Sequence, residues 1–561
     1  MNRMKKLLVF STLLAMALGV QAQEDPKKPG QLHGNFQFLS QQYSEDSLIG
    51  ATVPPATTAI NGFGNLMYTQ GGFRAGMRFE TYNNAIQGFS AQNRYKGTGI
   101  GNRFVQYQDS IFNVTIGNFY EQFGNGLTLR TYWEPNLGID NALDGARLII
   151  TPKKGITLKG IYGRQRLDFD SKITNADGII RGSDAEFNIN SLFKSLAEKQ
   201  TQLTLGGSFV SRYQSGETRF VDSLVFLTPN NVSNSAVRFQ LNRKALAVSG
   251  EYAQKINDPS ADNAYIYRKG KAFFLNASYS GNGFGINSAV KFIDNMSFRG
   301  DRNLKLFDVP TNYLPSITKQ HTYNLAATLY PYATPLKGEV SFMGEVFYTF
   351  KKGTKLGGKY GTQLSANFAA ANGLDTTRLS GIDAYTDAYR VNSVKFGPTK
   401  YVRDFNLEVK KKLSKKFSTA FTYYYLEFNT LVTPVTNDFK GIVYANIEVV
   451  ELNYKFTPKD NLHLELQGLQ TKQDKGDWAT VVAEFSHSPH WSLGLVDQYN
   501  YGNPNEAKQI HYLFGTVGYI NGSHRLTLGY GKRRQGVFCI GGVCRAVPAT
   551  NGFELMYTAS F

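Results

Sequence analysis

Two cysteines offer the most specific covalent chemistry in this chain. They are Cys539 and Cys544, and Ile-Gly-Gly-Val stands between them. Gly541 and Gly542 favour a tight bend, which would bring the two thiols face to face across a hairpin. A pair this close in an exported protein is expected to oxidise to a disulfide. Because two thiolates without a neighbouring histidine supply only half of a tetrahedral set, no metal site is predicted there.

The histidines are scattered along the chain and form no local catalytic motif. The seven are His33, His321, His463, His487, His490, His511 and His524. Only His487 and His490 are close in sequence, and Pro489 between them indicates a solvated turn in preference to a metal site. No phosphate-binding Gly-Lys-Ser/Thr motif occurs either. We therefore expect a protein that is not an enzyme and that needs no cofactor.

Charged side chains gather in one segment that breaks the pattern around it. Residues 117–145 are rich in Gly and Asn and carry turn signals at 124–126 and 134–135. The segment either folds inward between its flanking strands, as a constriction or plug, or forms an ordered external loop, and the sequence leaves both open. If it folds inward, its charges line a lumen. These candidates are Glu121, Arg130, Glu134, Asp140, Asp144 and Arg147.

The elements that must position these side chains are strands with alternating polarity. In 405–410, 462–467 and 284–292, apolar residues alternate with polar or charged ones. This period of two puts the two sets on opposite faces of a strand. Alternation alone fits a soluble β-sandwich as well as a barrel whose apolar face meets lipid, so the connections between the strands have to decide.

Short turns alternate with longer polar loops from about residue 32 to the end. The short turns include 242–244, 412–416 and 521–523. The long loops are predicted at 166–180, 214–231, 255–264, 299–318, 351–398, 429–441 and 501–508. This asymmetry is typical of the periplasmic and extracellular ends of a transmembrane barrel. We therefore predict an all-β fold, a large antiparallel transmembrane β-barrel of roughly 22 to 24 strands.

The two ends of the chain carry export and assembly signals. Residues 1–22 combine a basic start, a short apolar run and a small-residue cleavage pattern, which predicts a signal peptide. Residues 23–31 would be a short periplasmic segment and 32–561 the barrel. The final strand ends in an aromatic residue, and its Tyr557 and Phe561 resemble the signal that the barrel-assembly machinery reads. Because the protein is predicted to be exported, we expect no nucleic-acid partner despite the net charge of +18; outer-membrane lipid is the expected surrounding.

Three segments together resemble an uncharacterised family of outer-membrane β-barrel proteins from the Bacteroidota. They are 117–145, 357–361 and 541–545. The resemblance implies a compartment, the cell outer membrane, and a fold, but no activity.

Two functions stay open. A porin-like or substrate-selective channel for a small solute is preferred, because barrels of this size enclose a wide lumen. The alternative is a plugged barrel that acts as a non-enzymatic scaffold in a secretion, assembly or surface complex. In that case 299–318 and 351–398 would be loops that dock a protein partner.

Overall fold

A computed structural model describes residues 29–89, 94–221, 224–306, 308–433, 439–540 and 543–561. The predicted signal peptide, 1–22, and most of the predicted segment 23–31 lie outside these residues. Described residues form 24 long strands of one sheet, four small hairpins and a few short helices.

The strands of the first half of the sheet are β1 Gln31–Tyr43, β2 Thr58–Gln70, β3 Phe73–Asn83, β4 Tyr95–Gln108, β5 Phe112–Phe119, β6 Leu143–Lys153, β7 Ile156–Asp170, β8 Ile173–Asn188, β9 Thr201–Tyr213, β10 Asn231–Arg243, β11 Leu246–Lys255 and β12 Gly270–Gly281. Those of the second half are β13 Phe284–Asp294, β14 Gly338–Phe350, β15 Thr362–Arg378, β16 Tyr389–Lys412, β17 Phe417–Asn429, β18 Ile442–Lys455, β19 Asp460–Gln470, β20 Trp478–His487, β21 Trp491–Tyr499, β22 His511–Asn521, β23 His524–Arg533 and β24 Thr550–Ser560.

The sheet closes on itself as a barrel. Each strand pairs antiparallel with the next along the chain, and the last, β24, pairs antiparallel with β1. In that seam Leu39 stands opposite Met556. A closed sheet leaves no strand edge unpaired, which removes the site at which edge strands aggregate. The predicted fold, a large closed antiparallel barrel, is confirmed, with a strand number at the upper limit of the predicted range.

The two ends of the barrel differ in their connections. β1 begins and β24 finishes at the same end, which we call the terminal end; the other is the far end. Connections at the terminal end are mostly short, as at 71–72, 154–155 and 522–523. The two longest, 120–142 and 295–337, both lie at the far end. The predicted asymmetry between short turns and long loops is therefore present.

Two of the stretches predicted as long loops consist largely of strands, so these predictions are wrong. Residues 166–180 belong to β7 and β8, which are joined by a tight turn at 171–172. Residues 351–398 contain a terminal-end connection at 351–361, all of β15, a far-end connection at 379–388 and the start of β16. The sequence of β15 is dominated by Ala, Asn, Thr and Ser. Small and polar residues on both faces weaken the alternation, so the sequence pattern does not reveal a strand there.

The two faces of the barrel wall differ in polarity. Outside, Leu493, Val517, Leu528 and Leu555 stand opposite one another across β21 to β24, and the first three are about half exposed. Inside, polar and charged side chains are covered by the contents of the barrel; Lys291 on β13 is only 1% exposed. An apolar exterior around a polar interior is the arrangement of a barrel that crosses a membrane.

Helices make a minor contribution to the fold. The α-helices are Ile189–Leu192, Asn324–Leu329 and Asp383–Thr386, and the 3-10 turns are Lys194–Leu196, Ala261–Asn263, Thr430–Val432 and Glu506–Lys508. In the part of the chain that the structure describes, no helix is long and apolar enough to cross a bilayer. The small hairpins pair Gln122–Phe123 with Leu129–Arg130, Trp133–Glu134 with Ile139–Asp140, Thr218–Val221 with Leu224–Leu227, and Gly536–Ile540 with Val543–Val547.

Candidate functional site

Two segments of the chain fold into the lumen from the far end. We call residues 120–142 the first insert and residues 295–337 the second insert. The first insert buries Phe123 and Leu129 completely, in a cluster with Ile161 of β7 and Phe298 of the second insert. Burial of large apolar side chains removes them from water and stabilises the inward position. The cluster shows why the first insert, despite its Gly and Asn content, is not an external loop.

Four buried charges anchor the first insert to the wall. Asp140 accepts hydrogen bonds from Arg166 of β7, at 2.8 Å, and from Arg78 of β3. Arg166 also binds both carboxylate oxygens of Glu80, at 2.7 Å each, and Arg78 binds Glu80 at 2.8 Å. All four residues are almost fully buried. We call them the buried anchor; two guanidinium groups and two carboxylates balance one another there, as buried charges require.

A second, smaller ion-pair group holds the start of the same insert. Glu121 lies 2.8 Å from the Lys159 ammonium of β7 and 3.4 Å from the Arg147 guanidinium of β6. Arg147 also donates to the Thr115 hydroxyl of β5, at 3.1 Å. Three of the charged residues predicted from the sequence therefore take part in contacts between insert and wall: Glu121 and Asp140 belong to the insert, and Arg147 belongs to the wall strand β6.

The other three nominated charges have different surroundings. The Arg130 guanidinium lies over the Tyr313 ring of the second insert, 4.0 Å from its centroid. Glu134 accepts from the backbone N–H of Asn136, at 3.1 Å, and forms no ion pair with any described residue. Asp144 belongs to β6 and accepts a hydrogen bond from Asn175, at 3.3 Å. That these six residues line a constriction stays a prediction.

The second insert contacts the wall as far as β21. The backbone N–H of Leu325 donates to Gln467 of β19 at 3.0 Å, and Gln498 of β21 donates to Asn324 at 2.6 Å. His321 lies 2.6 Å from Asp404 of β16. The expectation that 299–318 is an external loop is wrong, since most of this stretch is buried or half-buried. Phe298 and Ile317 are fully packed inside and hold it there.

Lysine 291 shows how closely the second insert fits the wall. Its ammonium lies 2.8 Å from the carboxylate of Glu339 on β14. It also donates to the carbonyl oxygen of Pro315, at 2.5 Å, and to the hydroxyl of Thr334, at 2.7 Å. Every donor of this ammonium is therefore used inside the protein.

Along one sector of the inner wall, the inserts leave a gap. There a cavity of about 610 Å³ lies against β1, β2 and β20 to β23, with Asn136 of the first insert and Thr328 of the second on its inner side. We call it the lumen cavity. A smaller cavity of about 250 Å³ adjoins the buried anchor at Asp140 and Arg166. Arg545 of the small hairpin at 536–547 lines both cavities.

The lumen cavity is strongly basic. Two of its cations have carboxylate partners: Lys532 lies 2.6 Å from Asp46, and Arg533 lies 2.8 Å from Glu554. The sequence did not identify the remaining two, Arg534 and Arg545, as site residues, because both stand in the connection between β23 and β24, outside the strands of the wall.

Arg534 and Arg545 form no ion pair with a carboxylate among the described residues. Burial without such a partner lowers the pKa of each guanidinium to about 10. Both are still charged at neutral pH, since their pKa values lie well above 7.

The predicted disulfide and assembly signal lie beside this sector. In the backbone register of the small hairpin, Cys539 stands directly opposite Cys544. The side chain of Cys539 is outside what the structure describes, so the disulfide stays a prediction. The Tyr557 hydroxyl lies 2.8 Å from the His524 ring nitrogen Nδ1. The backbone N–H of Phe561 donates to Gly34 of β1, at 3.0 Å, and thereby extends the closing seam.

The sequence matches one protein family along nearly its whole length. Residues 4–561 fit the family described as "Family of unknown function (DUF6029)". The chain belongs to this family. No curated protein matches the sequence. Among the described residues, no group of three or more His, Cys, Asp or Glu side chains could hold a metal ion.

Several solved structures are similar to the chain at low identity. The P pilus usher (PapC) translocation pore shares 9% identity over 94% of this chain and 99% of its own, with a TM-score of 0.43. The siderophore receptor PirA from Pseudomonas aeruginosa shares 10% identity over 95% of this chain and 81% of its own, with a TM-score of 0.40. OccAB4 from Acinetobacter baumannii shares 8% identity over 96% of this chain and 99% of its own, with a TM-score of 0.34.

Proposed function

We propose that the protein is an integral barrel of the outer membrane, without enzymatic activity, that acts as a gated and substrate-selective conduit for a small solute. An apolar exterior around a closed barrel, together with the predicted signal peptide, supports the location. Outer-membrane lipid would then surround the wall, and Tyr557 and Phe561 would engage the assembly machinery during insertion. An origin in the Bacteroidota stays a prediction from the sequence.

The observation that carries this proposal is the uneven filling of the lumen. The inserts contact inward-facing side chains of strands from β2 round to β21, among them Phe63, Arg166, Lys291, Asp404 and Gln498. They leave the lumen cavity along β1, β2 and β20 to β23. A seal without transport has no need of a basic cavity along one sector. A selective conduit needs a binding site of this kind on the path of its solute.

The filled lumen also favours the second candidate, a plugged scaffold. Buried ion pairs between insert and wall stabilise the closed state, because separating such a pair leaves each buried charge without its partner. A barrel that never opens would serve as a platform for partner proteins at its far end.

Conductance separates the two candidates. The full chain and a variant lacking residues 124–140 would be refolded in detergent, and heat-dependent gel migration would verify that each barrel has formed. Each would then be inserted into planar bilayers. A conduit is expected to show small, intermittent conductance in the full chain and a larger, stable conductance in the deletion variant. Silence from both folded proteins would contradict the conduit and support the scaffold.

A further inference from the structure

We propose that the lumen cavity binds a small organic oxyanion, a carboxylate or a phosphate ester with an apolar portion, through Arg545 and Arg534. The assignment of this anion as the transported solute rests on the proposed conduit; the binding itself does not. Neither the fold nor the family assigns a ligand to this place.

Arg545 is the principal observation. It lines both cavities, and its Nε and Nη1 atoms are shielded from solvent without any hydrogen-bond partner. It forms no ion pair with a described carboxylate. A covered guanidinium nitrogen that donates to nothing costs free energy, because it has lost its hydrogen bonds to water and gained none in the protein. A bound ligand that accepts hydrogen bonds from these nitrogens of Arg545 would remove this free-energy cost.

Arg534 contributes the second positive charge. It donates to the hydroxyl of Thr328 and, at 3.3 Å, to the side-chain oxygen of Asn324. Both acceptors are neutral, and its Nε atom is covered and unpaired. The charge of Arg534 is thus positioned by the second insert but not neutralised by it.

The paired cations nearby show the contrast. Lys532 and Arg533 line the same cavity and each has a carboxylate within 2.8 Å. Glu484 is the only acidic residue in the described lining of the lumen cavity. The lining therefore carries a surplus of positive charge in a concave space that is partly shielded from bulk water, where an oxyanion is attracted more strongly than at an open surface.

The geometry of guanidinium groups favours oxyanions over other anions. Their planar N–H donors match the two oxygens of a carboxylate or a phosphate, in hydrogen bonds that are stronger than those between neutral groups. Halide ions cannot use such a fork in the same way. The ligand is therefore a carboxylate or a phosphate, and the binding measurement below distinguishes the two.

The rest of the lining accommodates an apolar body. Leu39, Phe63, Phe89, Tyr512 and Val537 line the lumen cavity. Its volume of about 610 Å³ lies within the range of roughly 300 to 1,000 Å³ that small-molecule sites occupy. An apolar or aromatic group would therefore be buried beside the charged one, which also excludes the smallest inorganic anions as the best ligands.

Titration calorimetry on the full chain in detergent tests the proposal directly. The probes are 3-phenylpropionate and phenyl phosphate, with 3-phenylpropanol as the neutral analogue. At least one acid is expected to bind, about ten- to a hundredfold more tightly than the alcohol, because the alcohol leaves both guanidinium groups unpaired. The acid that binds more tightly identifies which oxyanion the site prefers.

Substitution assigns the binding to the two arginines. Arg545→Met is expected to weaken acid binding about ten- to a hundredfold, and Arg545→Lys less, because the charge is kept and the fork is lost. Arg534→Met should weaken it to a similar extent. Arg525→Met is the matched control: Arg525 is exposed at the terminal end of β23, and affinity should not change.

The melting temperature separates a binding role from a structural one. Because neither arginine pairs with a carboxylate, Arg545→Met leaves no buried carboxylate behind and is expected to keep or raise the melting temperature. Equal affinity for acid and alcohol, unchanged affinity in Arg545→Met, or no binding of either acid would each overturn the proposal. None of these measurements requires transport, so a failed conductance experiment and a failed binding experiment are distinguishable.

Discussion

Replacing Asp140 by Asn should release the first insert from the wall. Asp140 is the only residue of the insert in the buried anchor, where it pairs with Arg78 and Arg166. Asparagine keeps the shape of the side chain but removes its charge. Two guanidinium groups would then share the single carboxylate of Glu80, and the anchor would change from neutral to a net charge of +1.

The size of the effect follows from the burial of the anchor. The side chain of Arg166 is 0% exposed and that of Asp140 is 4% exposed. Removing one member of a buried ion pair costs about 3 to 5 kcal/mol, because the remaining charge is left without compensation. This free energy corresponds to a shift of about a hundred- to several-thousandfold in the equilibrium between attached and released insert. When the insert is released, water solvates the arginines. The loss of the carboxylate charge therefore raises the free energy of the attached state and not that of the released state.

Single-channel recording and limited proteolysis measure the two consequences. Openings in planar bilayers are expected to become more frequent in Asp140→Asn by about the same factor, until another step limits them. Trypsin should cleave after Arg130 faster, because in the attached insert this residue is half-buried against Tyr313. Glu134→Gln is the matched control on the same insert, since Glu134 forms no ion pair with a described residue.

One result would refute this reasoning. If Asp140→Asn and Glu134→Gln both behaved like the unaltered protein in opening frequency and in cleavage, the buried anchor would not be what holds the first insert. The apolar cluster around Phe123 would then be sufficient by itself, and the charges would have only a local role in the wall.

Three further predictions follow from the same contacts. Glu339→Gln leaves Lys291 buried without its carboxylate, so the unfolding free energy should fall by about 3 to 5 kcal/mol, seen as earlier heat conversion on gels; an unchanged midpoint would contradict the ion pair. Thiol titration of the denatured, unreduced chain should detect neither Cys539 nor Cys544 until a reductant is added, and free thiols beforehand would exclude the disulfide. Burial raises the pKa of Tyr132 to about 12, so the stability contributed by its neutral form is complete below pH ~10 and is lost as the pH rises towards 12. In limited proteolysis, the first insert should therefore become easier to cleave over this pH range, and Tyr132→Phe should weaken that pH dependence. An identical pH profile in the variant would contradict the prediction.

Sequence by itself determined the wall of this protein. Alternation in stretches such as 462–467 fixes which side chains face out, because neighbouring side chains of a strand point to opposite faces whatever surrounds them. Gly and Asn in tight turns such as 521–523 fix where the chain reverses. These are local properties, so they can be read from neighbouring residues. Where small polar residues occupy both faces, as in β15, the local signal fails.

The contents of the lumen were decided only by the tertiary structure. In sequence, the segments 120–142 and 295–337 resemble external loops, because both are polar and rich in turn residues. They fold inward because closure of the barrel places side chains from distant strands on the same inner surface, where the inserts contact them. These side chains include Glu80, Arg166 and Gln467. The isolation of Arg545 has the same origin: whether a charge finds a partner depends on which strands meet across the barrel, and no short stretch of sequence contains that information.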